Sequence, residues 1–399
     1  MSSPRTDKLK IALVANHIHF RGGMERYTAE LAARLCRAHD VHLFTCEASD
    51  VPLDRVTVHP VHVRQKPFLA LFAQFYLQTS RMIRMSDFDI VHTIGGITAH
   101  QNIVTAQYCQ YAWGDAIRRE PGAKAGITAY HQLMWQIAGY FEKRAYTSPE
   151  TLGISANSHR TQSDLVKFYG ADPAKMQVIY NGVDTERFTP ANAKFRSEIR
   201  QRYQIPDDAV VVLFVGEYRR KGLATIIDAL GKLGDKRLHL LAVGKGDLPQ
   251  YQQLAAQAGI TRLATFAGPA RDIEQVFGAA DLFVFPTYYE PFGMVITEAM
   301  AAGLPVITSR RAGAAELITE GESGLLLDNP SDAAELSGKI AALIADNARL
   351  KDMGRRARPA ASGYTWNNVA EDTLSLYDRS LHGTRSADTG SLAGKVIRG

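Results

Sequence analysis

The strongest constraint on the fold of this chain is a repeated alternation of short apolar runs with longer segments of helical periodicity. Residues Ile11–Ala15 (IALVA) form a continuous apolar run bounded by polar residues, which is typical of a buried parallel strand. After the loop NHIHFRGG, four apolar residues recur at helical spacing: Met24, Tyr27, Leu31 and Leu35. Strands that alternate with helices in this way predict parallel sheets that are covered by helices on both faces.

The alternation occurs in two series, which predicts two domains. In the first series, later strands are predicted at Val41–Thr45, Ile90–His92, Ile103–Ala106 and Leu152–Ser155. In the second, strands are predicted at Ala209–Val215, Leu238–Val243, Leu282–Phe285 and Val306–Thr308, and helices at Leu223–Lys232, Leu248–Ala258, Ile273–Ala279 and Met294–Ala302. A chain of 399 residues is long enough for two domains with a core each. We therefore predict an α/β protein with two doubly wound sheets and a cleft between the domains.

Two changes in sequence character mark the predicted domain boundaries. The segment Thr185–Asp208 is rich in proline and charge, which is typical of an interdomain linker. From Trp366 to Leu381 the apolar residues again follow helical spacing, whereas the residues that follow lack periodicity. We predict four parts: an N-terminal domain (1–184), a C-terminal domain (185–365), a helix (366–382) and a mobile tail (383–399).

Composition argues against several classes of protein. Lys and Arg total 46 against 41 Asp and Glu, and this small, dispersed excess of positive charge does not indicate a nucleic-acid-binding protein. The three cysteines are odd in number and include no CxxC pair, so neither a disulfide framework nor a zinc site is predicted. This cysteine usage favours a reducing compartment. The N-terminus has no apolar signal segment, and the most apolar stretch, Phe68–Leu77, has about half the length of a membrane-spanning helix. We expect a cytoplasmic protein.

The most specific motif is Glu290-Pro-Phe-Gly-Met-Val-Ile-Thr-Glu298, which follows a predicted strand and opens a predicted helix. A helix N-terminus has unpaired N–H groups and the positive end of the helix dipole, and both favour a phosphate. Gly293 at the helix start allows the backbone to approach a ligand closely. Glu290 precedes the helix, where it can bind sugar hydroxyls, and Glu298 lies further along, where it can accept hydrogen bonds from a ribose diol.

Two further loops carry glycine next to charge. The segment Gly216-Glu-Tyr-Arg-Arg220-Lys221-Gly222 directly follows a predicted buried strand, and this position favours phosphate binding over a solvated turn. The segment Gly22-Gly23-Met-Glu-Arg26 lies between the first predicted strand and its helix, where it forms either a ligand-binding loop or an ordinary turn.

Together these motifs resemble glycosyltransferase family 4, a family of retaining enzymes with the GT-B fold of two Rossmann-like domains. The E-x7-E pattern after a hydrophobic strand resembles the family's donor-binding motif, Gly216–Gly222 its diphosphate-gripping G…RKG loop, and Gly22–Arg26 its N-terminal glycine-rich loop. The helix after Trp366 resembles the one that crosses back to the N-terminal domain. The likeness covers nearly the whole chain and includes Ala301–Ile307 (A-x-G-x-P-V), Gly313–Glu316, Gly321 and Gly324. Within the family, RKG resembles the lipopolysaccharide-core glucosyltransferases.

The resemblance implies a retaining, metal-independent transfer of a hexose from a nucleotide sugar, UDP-glucose or similar, to a glycan or glycolipid in cell-envelope polysaccharide or lipopolysaccharide synthesis. The nucleotide sugar is then a substrate, and no cofactor or metal is expected. The implied catalytic residues are Arg220, Lys221 and Glu290. The implied donor-binding residues are Gly22, Gly23, Gly216, Arg220, Lys221, Glu290, Phe292, Gly293, Met294, Val295 and Glu298.

Three features of the N-terminal half bear on this assignment. Many relatives carry a histidine after the strand that here is Ile103–Ala106, but this chain has Gln107, and a neutral amide cannot act as a general base near pH 7. Asp87-Phe-Asp89 matches the D-x-D metal motif, but its place just before a predicted strand favours a structural role. Cys109 is predicted to pack in the core rather than to act as a nucleophile.

The segment around Phe68–Leu77 is rich in basic and aromatic residues. The run is flanked by Arg64, Lys66, Arg81 and Arg84, and such a mixture is compatible with docking at an anionic membrane and with binding an anionic lipid-linked glycan acceptor. The inner face of the plasma membrane is the location that this interpretation implies. The alternative is that the apolar face packs on the sheet and the charges are solvated.

Two other functions remain open at this point. A sugar-nucleotide epimerase or hydrolase on the same plan would bind the donor but need no acceptor, and a non-catalytic module would bind nucleotide sugars without turnover. A nicotinamide oxidoreductase is disfavoured because no predicted strand is followed by G-x-G-x-x-G.

Overall fold

The computed structural model describes residues 8–64, 66–119 and 128–393. These residues form two compact units. The first unit contains residues 8–64, 66–115, 128–182 and 366–393, and the second contains 116–119 and 183–365. The chain therefore passes from the first unit to the second after Gly182, close to the predicted boundary at 184–185.

The first unit is built on a parallel sheet of seven strands. Its elements are β1 (Lys10–Val14), β2 (His17–Ile18), α1 (Gly23–Leu35), β3 (Asp40–Thr45), β4 (Glu47–Ala48), β5 (Val56–Pro60), α2 (Phe68–Met82), β6 (Ile90–Ile94), β7 (Ile103–Ala106), α3 (Gln110–Arg119), α4 (Ala129–Thr147), β8 (Gly153–Ala156), α5 (His159–Tyr169) and β9 (Met176–Val178). The strand order is β5-β3-β1-β6-β7-β8-β9, and β2 pairs separately with β4. The central strands are the predicted apolar runs, because a strand covered on both faces has no solvent-facing side.

The second unit has a parallel sheet of six strands in the order β12-β11-β10-β13-β14-β15. Its elements are α6 (Arg196–Arg202), β10 (Val210–Glu217), α7 (Leu223–Leu233), β11 (Leu238–Lys245), α8 (Leu248–Gln257), β12 (Ala264–Gly268), α9 (Ile273–Ala279), β13 (Leu282–Phe285), α10 (Met294–Ala301), β14 (Val306–Ser309), β15 (Leu325–Leu327), α11 (Ala333–Ile344) and α12 (Asn347–Ser362). The strand order reverses between β10 and β13. In open α/β sheets, ligands bind outside the carboxyl ends of the strands at such a reversal.

The segment predicted as a linker is instead a structured part of the second unit. Residues Pro190–Phe195 form a 3₁₀ turn and α6 follows at once. Arg200 of α6 is fully buried, and its guanidinium donates to Asp281 at 2.9 Å and to the carbonyl of Asp207 at 2.7 Å. At least one charged residue of this segment, Arg200, therefore serves a buried network, and composition alone does not distinguish such a residue from the charge of a solvated linker.

The last helix, α13 (Trp366–Ala393), belongs to the first unit. It packs through a polar layer in which Nδ1 of His92 lies 2.6 Å from the Tyr377 hydroxyl and Nε2 lies 2.6 Å from the Thr105 hydroxyl. Burial lowers the pKa of His92 to about 3, so the ring is neutral. The helix continues past residue 382, where the sequence predicts its end, and residues 394–399 of the predicted mobile tail lie outside the described residues.

No helix among the described residues combines the length and the apolar character that crossing a membrane requires.

Candidate active site

The loop Gly216–Gly222 connects β10 to α7 at the strand-order reversal of the second unit. Gly222 caps α7 in the left-handed conformation, with φ at 81°. A Cβ atom at this position would lie 2.1 Å from the carbonyl oxygen of Pro286, the first residue after β13. Glycine is therefore required here for two reasons, and its absent side chain lets the loop pack against the segment that follows β13.

A single carboxylate organises the turn of this loop. The Glu217 side chain accepts hydrogen bonds from the backbone N–H of Arg219 at 3.2 Å and of Arg220 at 2.9 Å, and from Nε of Arg220 at 3.1 Å. The carbonyl of Arg220 accepts in turn from the backbone N–H of Tyr288 at 3.3 Å. The turn is therefore fixed both internally and to the loop after β13.

Lys221 and Glu290 lie side by side, as part of one site. The Lys221 ammonium donates to Oε2 of Glu290, and both side chains are largely shielded from solvent, with 16% and 18% exposed. The Glu290 backbone is fixed independently, because its N–H donates to the Arg311 carbonyl and its carbonyl accepts from the N–H of Gly313. Two residues that are far apart in the sequence thus form an ion pair at the carboxyl ends of adjacent strands.

The N-terminus of α10 completes this group. Gly293 caps the helix with φ at 97°, and a Cβ atom there would lie 2.9 Å from Cγ of Glu290. Met294 and Val295 form the half-buried first turn, Phe292 is buried beneath it, and Glu298 is buried on the second turn. The start of α10 therefore follows directly on the loop that carries Glu290. The first N–H groups of a helix have no partner within the helix and are suited to bind an anion.

The structure places nine predicted residues in the second unit, on the loop after β10 and on the segment from the end of β13 into α10: Gly216, Arg220, Lys221, Glu290, Phe292, Gly293, Met294, Val295 and Glu298. The ion pair of Lys221 with Glu290 is the side-chain contact that joins these residues across the two segments. The other two, Gly22 and Gly23, lie in the first unit, where Gly22 caps α1 and its carbonyl accepts from the N–H of Arg26 at 2.9 Å. Their part in donor binding stays a prediction.

Sequence reasoning missed Glu217 and Thr287. The Thr287 side chain is fully buried, and its hydroxyl lies within hydrogen-bond distance of the carbonyls of Arg220 and Tyr289. Glu217 lies inside the segment GEYRRKG, just before its three cations, but the G…RKG pattern does not specify the residue at this position. Thr287 had no comparable signal, because a single threonine after a strand is common.

Three residues of the N-terminal half, Gln107, Cys109 and Asp89, are held by packing or hydrogen bonds within the first unit. The buried amide of Gln107 pairs reciprocally with that of Asn181, at 3.2 and 3.0 Å. Cys109 is fully buried, and burial raises the pKa of its thiol to about 12, which keeps it protonated. Asp89 accepts from the backbone N–H of Lys10 at 2.9 Å and so fixes the start of β1.

A cavity of about 510 Å³ opens in the first unit at the carboxyl ends of β3 and β5. Its lining residues are Cys46, Val61, His62, Val63, Arg64 and Gln74. The Gln74 side chain accepts from the backbone N–H of Arg64 at 2.8 Å, which ties α2 to this wall. With an arginine and a histidine in its lining, the cavity favours an anionic ligand.

Helix α2 is amphipathic and only partly covered. Leu71, Phe72 and Phe75 are buried against the sheet, so the apolar face does pack in the core. Phe68 and Leu77 are 42% and 53% exposed, however, so packing does not account for all of its apolar surface.

Two family models match the chain, one in each half. The model described as glycosyl transferases group 1 matches residues 195–359, and the model described as glycosyltransferase family 4 matches residues 21–187. With two Rossmann-like parallel sheets, these matches define a glycosyltransferase with the GT-B fold. The chain belongs to glycosyltransferase family 4, as the E-x7-E and RKG motifs predict.

Individual relatives agree with this assignment. D-inositol 3-phosphate glycosyltransferase of Corynebacterium efficiens is 32% identical over 239 residues, a match that spans 57% of this chain and little more than half, 56%, of that relative. The structure of WaaG, a glycosyltransferase involved in lipopolysaccharide biosynthesis, has a TM-score of 0.76 at 21% identity and covers 92% of this chain and 99% of its own. Anabaena HepE in complex with UDP-glucose has a TM-score of 0.69 at 20% identity, over 95% and 100% of the two chains. At these identities the two structures show a shared fold alone.

Proposed function

We propose that this protein transfers a hexose from a nucleotide sugar, UDP-glucose or similar, to an anionic glycan or glycolipid acceptor, with retention of configuration and without a metal ion. The observation that carries the proposal is the ion pair of Lys221 with Glu290 beside the α10 N-terminus, because it joins a cation, a sugar-binding carboxylate and a phosphate-binding helix start. HepE, which shares the fold, is known in complex with UDP-glucose, and this supports the choice of donor.

The leaving diphosphate is the group that these residues stabilise. When the bond between sugar C1 and the phosphate oxygen breaks, the electron pair and the negative charge pass to the diphosphate. Arg220, Lys221 and the N–H groups at Gly293 and Met294 neutralise that charge, and such donors contribute most when they are fixed in advance. Glu290 orients the sugar through its hydroxyls. The acceptor attacks from the same face, and the departing phosphate oxygen takes its proton.

The acceptor is proposed to bind in the first unit, at the cavity beside Arg64 and His62. The positive charge of Arg64 suits a phosphate or another anionic group, and the His62 ring adds nitrogens that can form hydrogen bonds. The relative from Corynebacterium efficiens is named for a phosphorylated acceptor, and WaaG for lipopolysaccharide biosynthesis. Both names are consistent with an acceptor that carries negative charge.

The proposal is tested by measuring nucleoside diphosphate release from a panel of nucleotide sugars, with and without candidate acceptors and with EDTA. We expect release that requires an acceptor and survives chelation, because the positive charge at the leaving group is supplied by side chains. Conversion of the donor without an acceptor would instead identify an epimerase or hydrolase. Thermal stabilisation by a nucleotide sugar without any turnover would identify a binding module, and loss of activity in EDTA would contradict the metal-free mechanism.

Docking at an anionic membrane is the second part of the proposal. The α2 surface consists of the exposed apolar residues Phe68, Leu77 and Met82 and the exposed basic residues Arg64, Lys66, Arg81 and Arg84. The segment from Arg64 to Ser86 contains no acidic residue. Apolar side chains on one helix, with basic side chains on it and directly beside its two ends, favour binding at the interface of an anionic membrane.

Co-sedimentation with phosphatidylglycerol vesicles at low salt tests this surface. We expect binding by the wild-type protein, and a loss of about tenfold or more in the Arg81→Glu, Arg84→Glu double variant, since each basic residue near an anionic surface contributes about 1 kcal/mol. The matched control is Arg355→Glu, Arg356→Glu on α12, which changes the net charge equally. Absence of wild-type binding, or an equal loss in both double variants, would count against docking through α2.

A further inference from the structure

In the loop Gly216–Gly222, which we call the donor loop, Arg220 and Lys221 are each paired with a carboxylate. Lys221 pairs with Glu290, which belongs to the E-x7-E motif. Arg220 pairs with Glu217, at 3.1 Å between Nε and Oε2. Glu217 lies within the Gly216–Gly222 segment but is not one of the residues that define the G…RKG pattern. A donor diphosphate must therefore enter a loop whose positive charge is partly neutralised.

The Glu217 carboxylate is bound as an external anion would be. Consecutive backbone N–H groups, those of Arg219 and Arg220, point at it together with the Arg220 guanidinium. Consecutive N–H groups that converge in a turn form an anion-binding concavity, and a guanidinium is the side chain best suited to phosphate. A phosphate oxygen and this carboxylate oxygen thus require the same donors.

Glu217 is also free to leave this position. Its side chain is 36% exposed and Arg220 is 38% exposed, so the pair lies at the surface of the loop rather than in the core. Ion pairs with this exposure contribute little to stability, because solvent screens them. Replacing the carboxylate by a diphosphate therefore costs little free energy of folding. The displaced carboxylate nevertheless stays close to the diphosphate, and its negative charge repels that ligand.

We propose that Glu217 is an internal competitor that occupies the anion-binding turn of the empty donor loop and weakens the binding of the donor diphosphate. The inference rests on the proposed function of the same site. Glu217 then sets the affinity for the donor by competing for Arg220. The product diphosphate is released more readily than it would be from the same loop without a carboxylate at position 217.

Binding of inorganic pyrophosphate and of UDP, measured by calorimetry at low ionic strength, tests this role. Glutamine at 217 keeps an acceptor for the backbone N–H groups but removes the charge. We expect Glu217→Gln to bind both probes about three- to tenfold more tightly than the wild type, and the gain to shrink with added salt. In turnover, the KM for the donor should fall by a similar factor and kcat should not rise, whereas loss of a merely structural residue would leave the KM unchanged or raise it.

Two control variants define the outcomes. Glu217→Asp keeps the charge and should bind near the wild-type level, and Glu322→Gln removes one exposed charge elsewhere in the second unit and should change nothing. Unchanged or weaker binding in Glu217→Gln, with normal wild-type binding, would make Glu217 a turn-stabilising residue and overturn the inference alone. If the wild-type protein bound neither probe, the proposed function would fail, and this inference with it.

Discussion

Replacing Lys221 with alanine is expected to lower kcat by about 100- to 1,000-fold while leaving the fold intact. Loss of one preorganised donor to a developing negative charge typically costs this much. Lys221 is a strong candidate for such an effect, because its ammonium is mostly shielded from solvent and lies beside Glu290 and the start of α10. Steady-state measurement of nucleoside diphosphate release with the donor that the wild type uses gives the comparison.

Lys232 provides the control for Lys221. It lies on α7, which the donor loop opens, and its ammonium pairs with Asp228 at 2.7 Å in an exposed position. Lys232→Ala removes the same charge from the helix that follows the donor loop and should keep kcat within about twofold. Arg220→Ala should lower kcat well over tenfold, as Lys221→Ala does. Normal turnover in both Arg220→Ala and Lys221→Ala would remove the cationic loop from the mechanism.

The centres of both sheets could be predicted because burial on two faces leaves a continuous apolar run. The predicted strand Leu282–Phe285 coincides with β13, and the prediction Ala209–Val215 differs from β10 by one residue at the start and two at the end. Edge strands carry a weaker signal. β5 and β12, each at the edge of its sheet, contain no buried residue, and the apolar pattern therefore did not reveal them.

The motifs predicted the residues of the candidate site, whereas the pairing among these residues is visible only in the structure. The E-x7-E pattern predicted Glu290, and the RKG pattern predicted Arg220 and Lys221. Nothing in the sequence indicated that Lys221 pairs with Glu290 while Arg220 pairs with Glu217, because this depends on which strands are neighbours. The order β11-β10-β13 places the two loops together, and strand order is not encoded in local periodicity.

Gly222→Ala is expected to have the largest combined effect on stability and activity. A left-handed φ costs a non-glycine residue about 1–2 kcal/mol, and a Cβ atom 2.1 Å from the Pro286 carbonyl oxygen adds a clash that only backbone movement can relieve. Overpacking of this kind costs about 1–3 kcal/mol. The movement must separate the donor loop from the segment after β13, and a displacement of about 1 Å in a catalytic site can cost about 100-fold in rate.

Gly234 separates these two contributions, because it ends the same helix, α7, that Gly222 begins. Its φ is 64°, also left-handed, but a Cβ atom there would have no atom within 4 Å. Gly234→Ala should therefore lose only about 1–2 kcal/mol of unfolding free energy in urea and keep its kcat/KM. Gly222→Ala should lose about 2–5 kcal/mol and about 100-fold in kcat/KM. Equal losses of stability with unchanged kcat/KM in both variants would mean that the contact of this loop with Pro286 does not position the catalytic cations.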